Sequence, residues 1–337
     1  LVVFILPVLG AGLVTMQSFT GNDTLFNKQL IWIGISFVVF FLLSFVDFRF
    51  IKRTEVLVGI YIIFSILLLF LFVFGHISRG AQSWFSFGGF SFQPVDMMKL
   101  VIILMLAKYF SRRHIEIDNF KHIFISGIYA FIPFILVLLQ PDFGSAIVIF
   151  CIWFCMTLVS GISKKHLLIV VGSVFFFFFL LWSFAFAPYQ KARIMTFVEP
   201  LSDIRGSGYN VYQAVIAVGS GEMTGKGVGF GTQSRLNFLP EYETDFIFAA
   251  FSEEWGFVGV IILFILLGLI IWRILNIALL GTTNFEILYG VGLAIYFMVH
   301  FVINIGMNIG VMPVTGIPLP FMSYGGSHLL TEFIGLG

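Results

Sequence analysis

Charge is what this chain has least of. Only 10% of its 337 residues are Asp, Glu, Lys or Arg, against roughly 25% in ordinary soluble domains. The net charge of +1 gives no basic field for nucleic acid and no acidic field for a cationic partner. Cysteine is almost missing as well. Its two copies, Cys151 and Cys155, lie one helical turn apart inside an apolar segment, which argues against a disulfide framework and against a zinc cluster. No histidine stands at ligand spacing from Asp142 or Asp245, so neither a metal site nor a tightly bound cofactor is expected. Dependence on a free divalent cation is not something these residues decide.

Apolar residues fill the space that charge leaves. They make up 59% of the chain, with a mean hydropathy of +1.06, and this defines an all-α, polytopic membrane protein. A spanning helix needs about twenty apolar residues. Segments of that kind run Leu1 to Phe19, Gln29 to Val46, Val56 to Phe74, Pro94 to Phe110, His122 to Leu139, Phe143 to Ser160, Lys165 to Phe186, Phe246 to Arg273, Glu286 to Asn308 and Pro320 to Gly337. The expectation is about ten spans in a single unit, 1–337, that includes one long extracytoplasmic loop, 187–245. Leu1 to Met16 lacks the basic start and small-residue cleavage site of a signal peptide. It reads as a first span, and both native ends are expected to lie beyond the sequence given.

Charge placement orients the bundle. Arg49, Lys52, Arg53, Lys108, Arg112, Arg113, Lys121, Lys164, Lys165 and Arg273 all fall in or beside loops on one side, while the short loops of the other side hold only Lys28 and Arg79. The positive side is cytoplasmic. Both ends are therefore expected inside, and the loop from Ala187 to Thr244 outside. Within that loop Tyr209 to Val218 is apolar at helical spacing, as in an amphipathic helix lying on the bundle.

Asp245 closes the loop, immediately before the apolar run that starts at Phe246. A carboxylate at the mouth of a membrane helix is costly, and such residues mark functional sites. Asp96 and Lys99 stand three apart on one helix face after Gln93-Pro94, and Asp142 follows Gln140-Pro141 at another outward junction. An ion-pair set that only locks helices together would account for the same residues; the cost of intramembrane charge favours a cavity instead. His300, Asn304 and Asn308, spaced four apart, suit hydrogen bonds between helices better than catalysis. The Phe175 to Phe179 run asks for nothing beyond lipid.

The glycine-rich stretch Gly219 to Gly231 invites a phosphate-loop reading, but Gly225-Lys226 is followed by Gly227 rather than Ser or Thr. The Walker pattern fails. A tight turn needing positive φ explains the glycines better. A weaker possibility is that its amides and Lys226 meet a lipid diphosphate.

These residues resemble the SEDS family, the RodA- and FtsW-type peptidoglycan glycosyltransferases. The resemblance spans nearly the whole chain. It rests on Gly80-Ala-Gln-Ser-Trp84, Gln93-Pro94, Gln140-Pro-Asp142-Phe-Gly144, Asn237 to Ala249, Glu253-Glu-Trp-Gly256, Asn304-Ile-Gly-Met307 and Pro318 to Ser327. The stretch Gly231 to Pro240 leans towards RodA. The resemblance implies ten spans in a bacterial inner membrane and polymerisation of lipid II by transfer of a polyprenyl-diphosphate-linked glycan to a lipid II acceptor, in the service of wall elongation and cell shape. It implies a class B penicillin-binding protein as partner and places the essential aspartate at Asp245. The family's Gln-Pro-Ser-Glu motif here reads Gln93-Pro-Val-Asp96, a carboxylate shorter by one methylene, while Lys99 and Asp142 match.

The implied chemistry is an inverting attack by a sugar hydroxyl, for which one general base suffices and contributes typically about 10²- to 10⁴-fold. Asp245 is the candidate base. Lys99 and Arg193 are candidates for the cation that meets the leaving diphosphate, and Asp96 and Asp142 for groups that position Lys99 or substrate. A lipid II flippase would use a similar cavity but would need charge on the cytoplasmic side as well. A non-enzymatic scaffold for the penicillin-binding protein would leave Asp245 and Lys99 without a role.

Overall fold

The computed structural model describes residues 1–18, 24–78, 81–87, 90–112, 120–185, 191, 195, 197, 207–236 and 238–337. Each of the ten apolar segments carries a helix, the last only from Gly326 because 320–325 is a turn: α1 (Val2–Gln17), α2 (Thr24–Ser44), α3 (Thr54–Phe74), α4 (Pro94–Ser111), α5 (Phe120–Leu139), α6 (Phe143–Val159) and α7 (Lys164–Leu180), then, after α8 (Ser207–Ser220), α9 (Ile247–Leu279), α10 (Asn284–Asn308) and α11 (Gly326–Leu336). Among the described residues, α2, α3, α5, α9 and α10 are long and apolar enough to cross a bilayer, and α1 and α6 are shorter apolar helices. α8 is the helix expected within the long loop.

Burial separates a central helix from lipid-facing ones. α4 is flanked by α3, α5, α6, α10 and α11 and buries all but a few of its side chains, which is how one helix carries Asp96, Lys99 and Lys108. α2 and α3 instead expose Leu30, Ile31, Val38, Phe41, Leu42, Ile62, Ile63, Ile66, Leu69 and Phe70. An apolar surface of this extent is unsuited to water. Here it meets acyl chains.

One element departs from the all-α expectation. Between α3 and α4 the chain forms a small antiparallel sheet, β1 (His76–Ser78), β2 (Ala81–Phe87) and β3 (Phe90–Phe92), in that order. Three of the five residues in Ser83-Trp-Phe-Ser-Phe87 are aromatic, side chains that are enriched in strands. Gln82 ties the sheet down. Its amide donates to Gln140 O at 3.2 Å and its Nε2 to Gly75 O at 3.0 Å.

At the opposite end the basic loops close. Lys52 Nζ pairs with Glu286 Oε1 at 2.5 Å, Lys108 donates to the Lys52 carbonyl, and Thr283 with Glu286 forms a capping box at the start of α10. The polar residues around Asp245 lie at the other end of the bundle, at the start of α4, α6, α9 and α11 and at the end of α10.

α9 is broken at Gly256, where φ is 63° and ψ is −168°, and the break is fully accounted for in hydrogen bonds. The amides of Phe257 and Val258 donate to Glu222 O and Met223 O at 2.9 and 3.1 Å, and the carbonyls of Glu253 and Glu254 accept from Lys226 N and Gly227 N at 3.0 Å each. Freed backbone groups at membrane depth survive only when protein re-satisfies them. A Cβ on Gly256 would sit 2.2 Å from Gly225 N, so neither the dihedral nor the space admits another residue. Gly256→Ala is expected to cost about 1–3 kcal/mol from backbone strain alone, read as a lower unfolding temperature in detergent.

Candidate active site

The segment before α9 is suspended between two other pieces of chain. Asn304 Nδ2 and Asn308 Nδ2 both donate to the Asp245 carbonyl, at 3.1 and 3.0 Å. Asn304 also donates to Ile317 O at 2.8 Å, and Asn308 Oδ1 accepts from Ala249 N at 3.1 Å. Both asparagines are fully buried. From the far side Ser323 Oγ donates to Thr244 O at 2.6 Å and Tyr324 N to Glu243 O at 2.8 Å. The backbone on each side of the Asp245 side chain is thus fixed by α10 and by the turn that precedes α11.

Around it the loop chemistry is mixed. Asp245 is half-buried, and a Cβ on Gly316 would lie 3.7 Å from its Oδ2. Burial pushes the Glu243 carboxyl above the ordinary carboxylate range, against the hydrogen bond from the Tyr242 hydroxyl. The same burial, with the Glu243 charge beside it, raises Tyr242 to about 12.

Asp142 reaches the same loop from α6. Its Oδ1 caps the helix by accepting from Ser145 N at 3.0 Å, and its Oδ2 accepts from Gln93 Nε2 at 3.0 Å. Two residues on, Gly144 packs against the strip that carries Gly316: a Cβ there would meet Thr315 O at 2.5 Å. The stretch from Thr315 to Ile317 therefore lies between the Asp142 cap and Asp245, and three of the motifs converge on it.

Lys99 sits deeper. Its Nζ pairs with Asp96 Oδ1 at 3.0 Å, and the two side chains are 2% and 3% exposed. The shorter carboxylate thus reaches the lysine directly, one turn away on α4. Asp142 is engaged with Gln93 and Ser145 rather than ion-paired to Lys99. Arg193 lies outside the described residues. Sequence reasoning missed two members of this neighbourhood, His328 and Glu332 of α11, whose i,i+4 spacing within an apolar segment was the available signal.

The glycine loop is used otherwise than for an anion. Glu253, fully buried, accepts through Oε1 from Lys226 Nζ at 2.7 Å, Thr232 N at 2.8 Å and Gln233 N at 3.1 Å, and Glu254 Oε1 accepts from Gly229 N at 2.6 Å. Gly225, Gly227 and Gly229 all have positive φ, as a tight turn requires. The lysine and amides that could have met a diphosphate are occupied by two carboxylates of α9. Among the described residues no group of three or more His, Cys, Asp or Glu is placed to hold a metal ion.

A helical bundle that exposes apolar flanks to lipid and gathers buried carboxylates and a lysine at one end of α4, α9, α10 and α11 is a polytopic membrane protein with its polar site inside the bundle. The model of the FtsW, RodA and SpoVE family, described as cell cycle proteins, matches residues 1–337. Escherichia coli peptidoglycan glycosyltransferase MrdB is 41% identical over 278 residues, 82% of this chain and 75% of that protein. Bacillus subtilis stage V sporulation protein E is 34% identical over all of this chain and 94% of its own length. Among solved structures, a chain of a peptidoglycan synthase complex that coordinates polymerization and crosslinking superposes with a TM-score of 0.85 at 29% identity, covering 99% of this chain and 94% of that one. The crystal structure of the rod shape determining protein RodA of Thermus thermophilus does so at 0.73 and 28%, covering 99% and 92%. The chain belongs to the FtsW/RodA/SpoVE family, and it is a multi-pass bacterial membrane protein.

Glu253→Gln tests the loop lock. Loss of the charge that holds Lys226 and the 232–233 amides is expected to cost about 1–3 kcal/mol and to raise amide hydrogen exchange across 225–233, leaving exchange in α4 unchanged.

Proposed function

We infer that this chain is a peptidoglycan glycosyltransferase that polymerises lipid II into glycan strands, with Asp245 as general base. The observation that carries the assignment of the base is the double hold of Asn304 and Asn308 on the Asp245 backbone. It fixes a half-buried carboxylate beside the open-sided Gly316. In this reading the sugar hydroxyl of the acceptor attacks the anomeric carbon of the donor, its proton passes to Asp245, and the bond to the diphosphate breaks with inversion. A positioned base supplies part of the barrier lowering, and prepositioning supplies more.

The leaving diphosphate gathers negative charge, and a fixed cation stabilises it without a protonated acid. Lys99 is assigned that part, with Asp96 orienting its ammonium and Asp142 holding Gln93 and the start of α6. The burial of Lys99 against Asp96 also favours a second role for the same pair, a structural tie between α4 and its neighbours. A class B penicillin-binding protein is the partner, on the outer loops and the outer ends of α9 and α10. The site faces outward and the ends of the chain inward, an orientation supported by the basic end built around Lys52, Lys108, Arg112 and Arg273.

Asp245→Asn with purified lipid II and partner in detergent is expected to keep its unfolding temperature and lose about two orders of magnitude or more in polymerisation; near-native polymer formation would remove Asp245 from the mechanism. Lys99→Met is expected to abolish activity and Lys99→Arg to restore only part of it, since a planar fork does not replace a point charge. Full activity in a folded Lys99→Met protein would leave the structural tie as the role of that residue.

A further inference from the structure

A buried chain of charge runs from α4 to the turn that holds the Asp245 segment. His328 Nδ1 lies 3.4 Å from Asp96 Oδ1, on the carboxylate oxygen that also meets Lys99. His328 Nε2 lies 3.0 Å from Glu332 Oε1, one turn further along α11. The second oxygen of Glu332, Oε2, accepts from Phe321 N at 3.1 Å. All four side chains are at most 6% exposed. His300 and Tyr296 of α10 close the cluster from the side, with ring centroids 5.1 and 6.3 Å from the His328 ring.

Charge counting shows what the histidine does there. Asp96, Glu332 and Lys99 together leave one negative charge unbalanced in an apolar interior, and an imidazolium at His328 balances it. Uncompensated buried charge is expensive, whereas a neutral and well-partnered set is tolerated. Phe321, which receives the other end of the chain, has φ of 60°, a conformation that a bulky residue keeps only under outside constraint. Glu332 supplies that constraint. Two residues on, Ser323 Oγ accepts from Leu319 N at 2.8 Å and donates to Thr244 O, so the turn at Phe321 is also the anchor of the segment ending in Asp245.

We propose that His328 and Glu332 are positioning residues for glycosyl transfer, a buried bridge that holds Asp96 and Lys99 at one end and the Phe321 turn beneath Asp245 at the other. The proposal rests on the roles given above to Asp245 and Lys99. It makes the spacing between base and cation a property of α11, and it assigns a specific task to residues that neither touch substrate nor face lipid. A carboxylate as short as that of Asp96 is gripped from two sides, by Lys99 and by His328.

The test separates positioning from stability. His328→Gln leaves one negative charge unbalanced and is expected to lower both the unfolding temperature and the rate. Adding Glu332→Gln restores neutrality and keeps an acceptor for the Phe321 amide. In this double variant the unfolding temperature is expected to recover towards native. The kcat for lipid II polymerisation stays about ten- to a hundredfold down, as for a reacting group misplaced by a fraction of an ångström, with KM little changed. A native kcat in the double variant would reduce the bridge to a stabilising one and overturn the proposal, as would a kcat that merely follows the folded fraction. If the double variant does not fold, Glu332→Gln alone is read by the same criterion. Asp245→Asn runs alongside: activity in that variant would bring down the assignment of the base, whereas an inactive Asp245→Asn beside a native double variant would bring down this inference alone.

Discussion

Charged groups and broken backbone inside this bundle are costly unless protein answers them, and the site is a consequence of that constraint. Water is scarce at the depth of α4, so a buried carboxylate or broken helix turn must find its partner in another element. Asp96 finds Lys99 and His328, Glu253 finds Lys226 and the amides of 232–233, and the carbonyl of Asp245 finds two asparagines. Apart from Asp96 with Lys99, each pairing joins segments far apart in the chain. The polar residues therefore do structural duty before any substrate is considered.

One consequence is that the surroundings of Asp245 are a lattice of backbone anchors. Thr244, Asp245, Ile317, Leu319 and Phe321 are all held through main-chain atoms. Main-chain anchoring fixes a side chain's origin. Holding a functional side chain in place in this way is where much of the catalytic advantage of an enzyme arises.

The break in α9 shows the same economy. Gly256 ends one run of helical hydrogen bonds, and the glycine loop that follows α8 supplies the missing partners on both sides of it. The loop cannot then act as a phosphate cradle, because its amides and Lys226 are already engaged. Glycines that suggested anion binding in the sequence serve instead to let one backbone approach another, and the carboxylates that hold them come from Glu253-Glu254, a motif whose role no spacing rule revealed.

Much of the architecture was legible in the residues. Hydropathy alone located the ten helical segments, since a span of fixed length is what an apolar slab demands, and the motifs from Gln93 to Ser327 identified the family. The i,i+3 spacing puts Asp96 and Lys99 on one helix face, and the structure shows that the shorter carboxylate meets the lysine directly. The small sheet between α3 and α4 was not foreseen: its strands are short, and the bond that ties Gln82 to the bundle goes to Gln140, more than fifty residues away. Nor could the sequence join His328 to Asp96, set Asn304 and Asn308 on the Asp245 carbonyl, or give the Lys226 loop to Glu253. Local periodicity determines what each segment is. Which buried polar group answers which is decided only when helices pack, because the cost of an unpartnered charge is paid by the folded bundle as a whole and not by any one stretch of chain.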